Sequence, residues 1–300
     1  MAFEKIVIID SCGLTQPELS EIEKYSSAPM VVYDDVPGSE EGIILRIGDA
    51  DAVLVSWRTR IPASVLNAVY NVKYIGMCCS LYDEKAANVD IARARELGIA
   101  VKGVRDYGDE GTVEFLFAQL IALFKGFGQY QWRTAPAELK GKSIGIIGMG
   151  TLGAMVAETA LHFGMEVFYF NRSRKPELEA KGITYLSLSE LMATCDIITT
   201  HTPKNALILS HDDFQLKKPN SIFINTSLGP TFEKEALAEW LKRDGSSFAI
   251  FDLEGIGVYR SDLESAERVI LYQGSSGSTA EAKKRLSQKV LSNIENYLNS

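Results

Sequence analysis

Histidine is scarce in this chain: His162, His201 and His211 are the three in 300 residues, and none follows His211. Arginine is missing from the whole stretch between Arg174 and Arg243. The four cysteines, Cys12, Cys78, Cys79 and Cys195, show neither a disulfide-framework nor a metal-ligand spacing. Adjacent Cys78 and Cys79 are also awkward to bridge, so reduced thiols, no metal and a cytoplasmic location are expected. No apolar run reaches the ~18 residues of a membrane span. Met1–Asp10 carries no basic n-region or cleavage site, so neither a membrane partner nor a signal peptide is expected. Positive charge is in deficit as well, 31 Lys and Arg against 39 Asp and Glu, a net −8 that speaks against a nucleic-acid partner. At 46% hydrophobic and 23% charged, the composition is that of a globular chain and excludes disordered, collagen-like and coiled-coil classes.

What is present is rhythm. Short apolar, β-rich runs at 6–10, 30–33, 52–56, 73–77 and 99–103 alternate with helical patterns such as Pro62–Val69 and Val89–Leu97. Leu97-Gly98-Ile99 reads as a helix, a glycine stop and a strand. A long apolar segment, Gly111–Phe127, reads as a helix, and the Gly-, Pro- and Trp-bearing stretch to Lys142 reads as a connection. A second series of strands follows at 143–147, 166–170, 196–200, 221–225, 248–253 and 269–272, and Ala280–Leu298 closes the chain as a helix. The alternation predicts an α/β fold of two lobes, each a parallel sheet flanked by helices. The expected division is 1–104 plus 274–300 for one lobe and 105–273 for the other.

The second series opens with a phosphate-binding pattern. The strand Ser143–Ile147 runs into Gly148-Met149-Gly150-Thr151-Leu152-Gly153 and then into the helical stretch Ala154–Phe163. A G-x-G-x-x-G run alone says little, but between a strand and a helix it has the context that its mechanism needs. Gly148 makes the turn, Gly150 lets a pyrophosphate approach the backbone, and Gly153 lets helix and strand pack closely. The helix N-terminus adds free N–H groups and partial positive charge. The next strand, Glu166–Phe170, ends at Asn171-Arg172-Ser173-Arg174-Lys175. An acid there would hold the ribose 2′-OH of NAD. Cations and a hydroxyl instead suit the 2′-phosphate of NADP, and a solvated basic turn is the plainer alternative.

Several further stretches make the chain resemble the D-isomer-specific 2-hydroxyacid dehydrogenase family. They are Lys140–Gly150, Phe163–Val167, Leu188–Leu191, Cys195–Pro203, Leu216–Pro219, Ile224–Gly229 and Phe251-Asp252, with Asn88–Asp90 and Glu96–Ile99 in the first lobe. The resemblance implies two Rossmann-like lobes with the active-site cleft between them, a small-molecule substrate and a possible homodimer. It implies cofactor contacts from Gly148, Met149, Gly150, Thr151, Leu152 and Gly153, from Asn171, Arg172, Ser173 and Arg174, and from His201, Thr202 and Pro203. Thr226, Ser227, Leu228 and Asp252 complete that set, with NADP(H) favoured over NAD(H).

The catalytic set that the resemblance implies is missing. The family's Arg grips the substrate, its His moves the proton on the C2 oxygen, and its Glu orients and tunes the His. Here the three places hold Leu228, Gly257 and Gln273 (or Gly274). The gaps between Arg174 and Arg243 and after His211 make the loss of Arg and His independent of alignment. Leu cannot hold a carboxylate, and Gln cannot exchange a proton near neutral pH. Glu254 lies near the Glu position but has no His to serve. The substrate loop departs too, since Cys78–Ala87 is longer than the family's Gly-rich turn and the 124–142 connection is shorter.

Four side chains are candidates to replace the set. His201, at a strand end, is a candidate proton donor or a wall of the cofactor pocket. Arg58 and Arg60 follow a first-lobe strand and are candidate anion clamps, or solvated loop residues. Tyr107 is a candidate donor beside a cation, or part of a helix N-terminal region with Asp109 and Glu110. Two functions fit: an NADP-preferring oxidoreductase with a non-standard site acting on an unidentified carbonyl or hydroxy compound, and a non-catalytic NADP-binding sensor or assembly protein.

Overall fold

The computed structural model describes residues 2–300, apart from the side chains of Ala86 and Asp244. The chain forms two compact units, Met1–Tyr107 with Thr279–Ser300, and Gly108–Ser278. Both boundaries fall beyond those drawn from the sequence, for local reasons. Tyr107 packs into the apolar cluster of the first unit, and its carbonyl accepts from Arg285 Nε at 2.9 Å. Ser276 belongs to the second unit, because its N–H donates to Asp252 Oδ2 (2.8 Å) and its hydroxyl meets that of Thr112 (3.3 Å).

The first unit has strands β1 (Ile6–Ile8), β2 (Val31–Val32), β3 (Ala52–Val55), β4 (Tyr74–Ser80) and β5 (Ala100–Val104). All pair in parallel in the order β2-β1-β3-β4-β5. Helices α1 (Gln16–Glu23), α2 (Glu40–Ile47), α3 (Ala63–Ala68) and α4 (Ile91–Glu96) connect them. Strands such as β1 and β3 are buried at every position, as a parallel sheet covered on both faces requires. The expected strand at 73–77 runs on to Ser80, with a register irregularity after Gly76. Cys78 and Cys79 therefore lie inside β4 as buried core residues rather than at its end.

The second unit opens with α5 (Asp109–Lys125) and then carries β6 (Ser143–Ile147), α6 (Thr151–His162), β7 (Glu166–Phe170), α7 (Pro176–Glu179), β8 (Thr184–Tyr185) and α8 (Leu188–Thr194). Next come β9 (Ile197–Thr200), α9 (His211–Leu216), β10 (Ile222–Asn225), α10 (Lys234–Asp244) and β11 (Phe248–Phe251). The unit ends with α11 (Leu253–Ile256), α12 (Arg260–Leu263) and β12 (Val269–Leu271); α13 (Ala280–Leu298) returns to the first unit. Seven parallel strands lie in the order β12-β11-β10-β9-β6-β7-β8. The expected strand 248–253 stops at Phe251, because the Asp252 carboxylate accepts the Gly255 N–H (2.7 Å) and starts α11. The order reverses between β6 and β9. That switch point is where a ligand finds a crevice at the carboxyl ends of the strands.

Candidate functional site

The turn between β6 and α6 is built by two glycines that no other residue can replace. Gly148 has φ +96°, and a Cβ there would lie 2.2 Å from the His201 carbonyl oxygen. A Cβ on Gly153 would lie 2.1 Å from the Gly148 carbonyl oxygen. Gly150 differs, since a Cβ there would meet nothing within 4 Å. Its lack of a side chain serves open space above the helix end, not packing. The first helical bond of α6 runs from Ala154 N to Gly150 O (2.9 Å), so the amides ahead of Ala154, at Thr151, Leu152 and Gly153, have no helical partner. Open space, free amides and a helix N-terminus fit the pyrophosphate of a dinucleotide.

Asn171, just past β7, ties the basic turn to this cradle. Its Oδ1 accepts from Met149 N (3.2 Å), and its Nδ2 donates to the Ser173 carbonyl (2.9 Å). Arg172 is exposed and makes no hydrogen bond or ion pair among the described residues. Arg174 is committed elsewhere: its guanidinium binds the Glu179 carboxylate, with Nε to Oε1 at 3.0 Å and Nη2 to Oε2. The two members of the turn that sequence treats alike are thus held differently.

Past β9 and β10 the loops are knitted by one buried amide. Asn225 Oδ1 accepts from Thr200 Oγ1 (2.7 Å) and Ser227 N (3.0 Å), while Nδ2 donates to the carbonyls of Gly229 (3.1 Å) and Gly255 (2.8 Å). Ser227 Oγ accepts from Thr202 N (3.1 Å) and donates to the Thr200 carbonyl (3.0 Å). Asn225 and Thr200 were not among the expected contacts, although polar residues in otherwise apolar strands were a visible signal. Beside this network three buried polar atoms have no partner among the described residues: His201 Nδ1, Thr202 Oγ1 and Thr226 Oγ1. Such atoms are costly without a ligand, and all three belong to residues expected to contact a cofactor. The residues present therefore fit a nicotinamide dinucleotide.

His201 does not suit the role of proton donor. Burial pushes its imidazole down to about 4, and its Nε2 lies 3.1 Å from Thr199 Oγ1. A ring neutral at pH 7 can donate or accept a hydrogen bond but holds no imidazolium proton to transfer. Asp252 has both carboxylate oxygens on backbone amides, Gly255 N and Ser276 N, so its first duty is to hold two loops. Leu228 offers only its carbonyl, which accepts from Asn205 N (2.9 Å). Gly257 has φ +52°, and a Cβ there would fall 2.8 Å from Pro230 Cδ, so the turn excludes a glutamate. Gln273 is exposed and accepts from Arg260 Nη2 through Oε1 (2.8 Å).

In the first unit, Arg58 and Arg60 are exposed on a loop braced from both sides. The buried Asp10 carboxylate accepts from Ser56 N (2.8 Å), Ser56 Oγ (2.7 Å) and Thr59 Oγ1 (2.5 Å). Asn88 Nδ2 donates to the carbonyls of Ser56 (2.8 Å) and Thr59 (2.6 Å). The loop leaves β3 at the reversal of strand order between β1 and β3, a ligand position in sheets of this order. The Tyr107 ring packs with the apolar cluster of Phe3, Tyr74 and Leu286, an environment that favours its structural reading.

Comparison with known proteins agrees with this geometry. The family model of the D-isomer specific 2-hydroxyacid dehydrogenase NAD binding domain matches residues 119–271. A hydroxypyruvate reductase of Blautia hydrogenotrophica is 28% identical, over 98% of this chain and 97% of its own. A glyoxylate reductase of Thermococcus litoralis is 27% identical, over 91% and 88%. Among solved structures, an acyclic imino acid reductase in complex with NADPH and D-Arg superposes with a TM-score of 0.83. It is 28% identical, covering 98% of this chain and 97% of that one.

Proposed function

Because the chain belongs to the D-isomer-specific 2-hydroxyacid dehydrogenase family, we propose that it is an NADP(H)-preferring reductase whose substrate needs no proton from a side chain. The observation that carries this reading is the pairing of an intact dinucleotide cradle with family positions that hold Leu228, Gly257 and Gln273. When bound, the nicotinamide supplies a hydride. Reduction of a ketone to an alcohol also requires a proton on oxygen, and no acid of suitable pKa stands at those positions. An iminium carbon differs, because its nitrogen already carries the proton. The hydride adds to carbon, the C=N π pair moves to nitrogen, and an amine is formed with charge and atoms balanced.

The imino acid reductase at 28% identity supports this substrate class, 2-imino acids formed from a 2-oxo acid and an amine. The carboxylate of such a substrate needs a cation, for which exposed Arg58 and Arg60 on their braced loop are the candidates. The test is NADPH oxidation with pyruvate or glyoxylate, alone and with ammonium or methylamine. Turnover is expected only when the amine is present. Equal turnover of the 2-oxo acid alone, at a dehydrogenase-like rate on the order of 1–10³ s⁻¹, overturns the proposal. Tight NADPH binding with no turnover on either mixture would favour a non-catalytic NADP-binding protein, the reading that the missing Arg, Glu and His otherwise support.

A further inference from the structure

The basic turn after β7 contains a charge pair whose arrangement has consequences for the cofactor. Glu179, at the end of α7, receives three donors: Arg174 Nε, Arg174 Nη2 and the Tyr169 hydroxyl (2.6 Å to Oε1). The same Tyr169 oxygen accepts from Lys175 N (2.6 Å), so one phenol clamps the turn and the carboxylate together. The Arg174 guanidinium also lies over the Tyr185 ring, 5.4 Å from its centroid, and Tyr185 packs edge-on against Tyr169. Arg174, followed by Tyr169, pulls the Glu179 carboxyl down to about 2, so it is ionised throughout the neutral range. Arg174 therefore spends the Nε–Nη2 edge of its fork on Glu179 and one face of its plane on Tyr185. Among the described residues, exposed Arg172 has none of these ties.

We propose that Arg174 governs cofactor choice without binding the cofactor, by cancelling a Glu179 carboxylate that would otherwise repel a 2′-phosphate at the Asn171–Arg172–Ser173 turn. The inference rests on the NADP(H) reading above and assigns separate tasks to two arginines that look equivalent in sequence. Arg172 meets the phosphate. Arg174 removes an opposing charge. An unmasked carboxylate beside this turn would act like the acid that favours the free ribose 2′-OH of NAD. Loss of Arg174 should thus penalise NADPH and leave NADH unharmed.

The two roles separate in a double-mutant cycle read by fluorescence titration of NADPH and NADH, with no catalytic readout. Arg174→Ala is expected to weaken NADPH by about 5–30-fold, the size of a like-charge repulsion in a partly solvated site, with NADH unchanged or tighter. Adding Glu179→Gln to that variant is expected to bring NADPH back to within about threefold of the parent, because the charge that Arg174 masked is gone. A double variant as poor as Arg174→Ala overturns the proposal and makes Arg174 a direct ligand. Should Arg174→Ala melt early, folded Glu179→Gln alone decides, since it must bind NADPH as well as the parent or better. Arg172→Ala monitors the underlying reading separately. If it spares NADPH and the parent binds both cofactors equally, the NADP(H) preference is wrong, while the cycle still reports whether the Arg174–Glu179 pair changes the NADPH-to-NADH ratio.

Discussion

At the scale of single residues, His201 shows how environment overrides residue type. In water its imidazole titrates near 6.5, but burial holds it at about 4 in the folded chain. Above pH 6.5 the ring is neutral in both folded and unfolded states, and stability is complete. As pH falls through 6.5, the unfolded chain takes up a proton that the folded chain refuses. Stability then declines by about 1.4 kcal/mol per pH unit and levels off below pH 4, a total of about 3 kcal/mol. Urea unfolding of the parent and His201→Gln at pH 7 and pH 4.5 checks this. The variant should gain about 2–3 kcal/mol on the parent over that interval, and parallel pH profiles would show that the ring is not buried neutral.

At the scale of one element, the β6–α6 turn separates two glycines that the packing requires from one, Gly150, that it does not. Gly153→Ala drives a methyl into the Gly148 carbonyl, so helix and strand must part. A loss of about 2–4 kcal/mol is expected, as for other overpacked backbone contacts. Gly150 has φ −85° and ψ −161°, which any residue adopts, and free space around its would-be Cβ. Gly150→Ala should therefore melt within a few degrees of the parent yet lose most of its affinity for NADPH, because the methyl occupies the phosphate's approach. Calorimetry on both variants with and without nucleotide distinguishes them; equal melting losses would refute the division of labour. The α11 turn adds a related constraint. Gly257 cannot be converted to glutamate without disturbing Pro230.

On the scale of the whole chain, the last helix belongs with the first residues. In α13, Leu286, Val290, Ile294 and Leu298 are buried in the cluster that also holds Phe3, Ile6 and Tyr74. Thr15 N donates to Ser287 Oγ (2.9 Å), Tyr25 to Glu295 (2.9 Å), and Asn293 to the Gly103 carbonyl (3.0 Å). Four buried aliphatic side chains at roughly 1.5–3 kcal/mol each equal the net stability of a typical domain. Removal of 280–300 should unfold the first unit. A fragment of 108–278, which keeps its own two apolar clusters, should still unfold cooperatively and bind NADPH. Circular dichroism melts and nucleotide titration of the two fragments test this. A folded 1–279 first unit would show that α13 is dispensable.

Periodicity and local motif were sufficient for much of this molecule. Strands β6 and β7, helix α13 and the strand–turn–helix context of Gly148–Gly153 depend on residues close in sequence, and they were legible there. The absence of arginine between Arg174 and Arg243 and of histidine after His211 is likewise a property of the chain alone. Partnership is not. Asp252 reads as the end of a strand until its carboxylate is seen on Gly255 N and Ser276 N. Arg172 and Arg174 read as one basic turn until Tyr169, from the preceding strand, presents its hydroxyl to Glu179. His201 reads as either a proton donor or a pocket wall until burial is seen to hold its ring neutral. Each of those outcomes depends on which distant groups share a small volume, because hydrogen bonding and desolvation act over a few ångströms in space and are indifferent to separation along the chain.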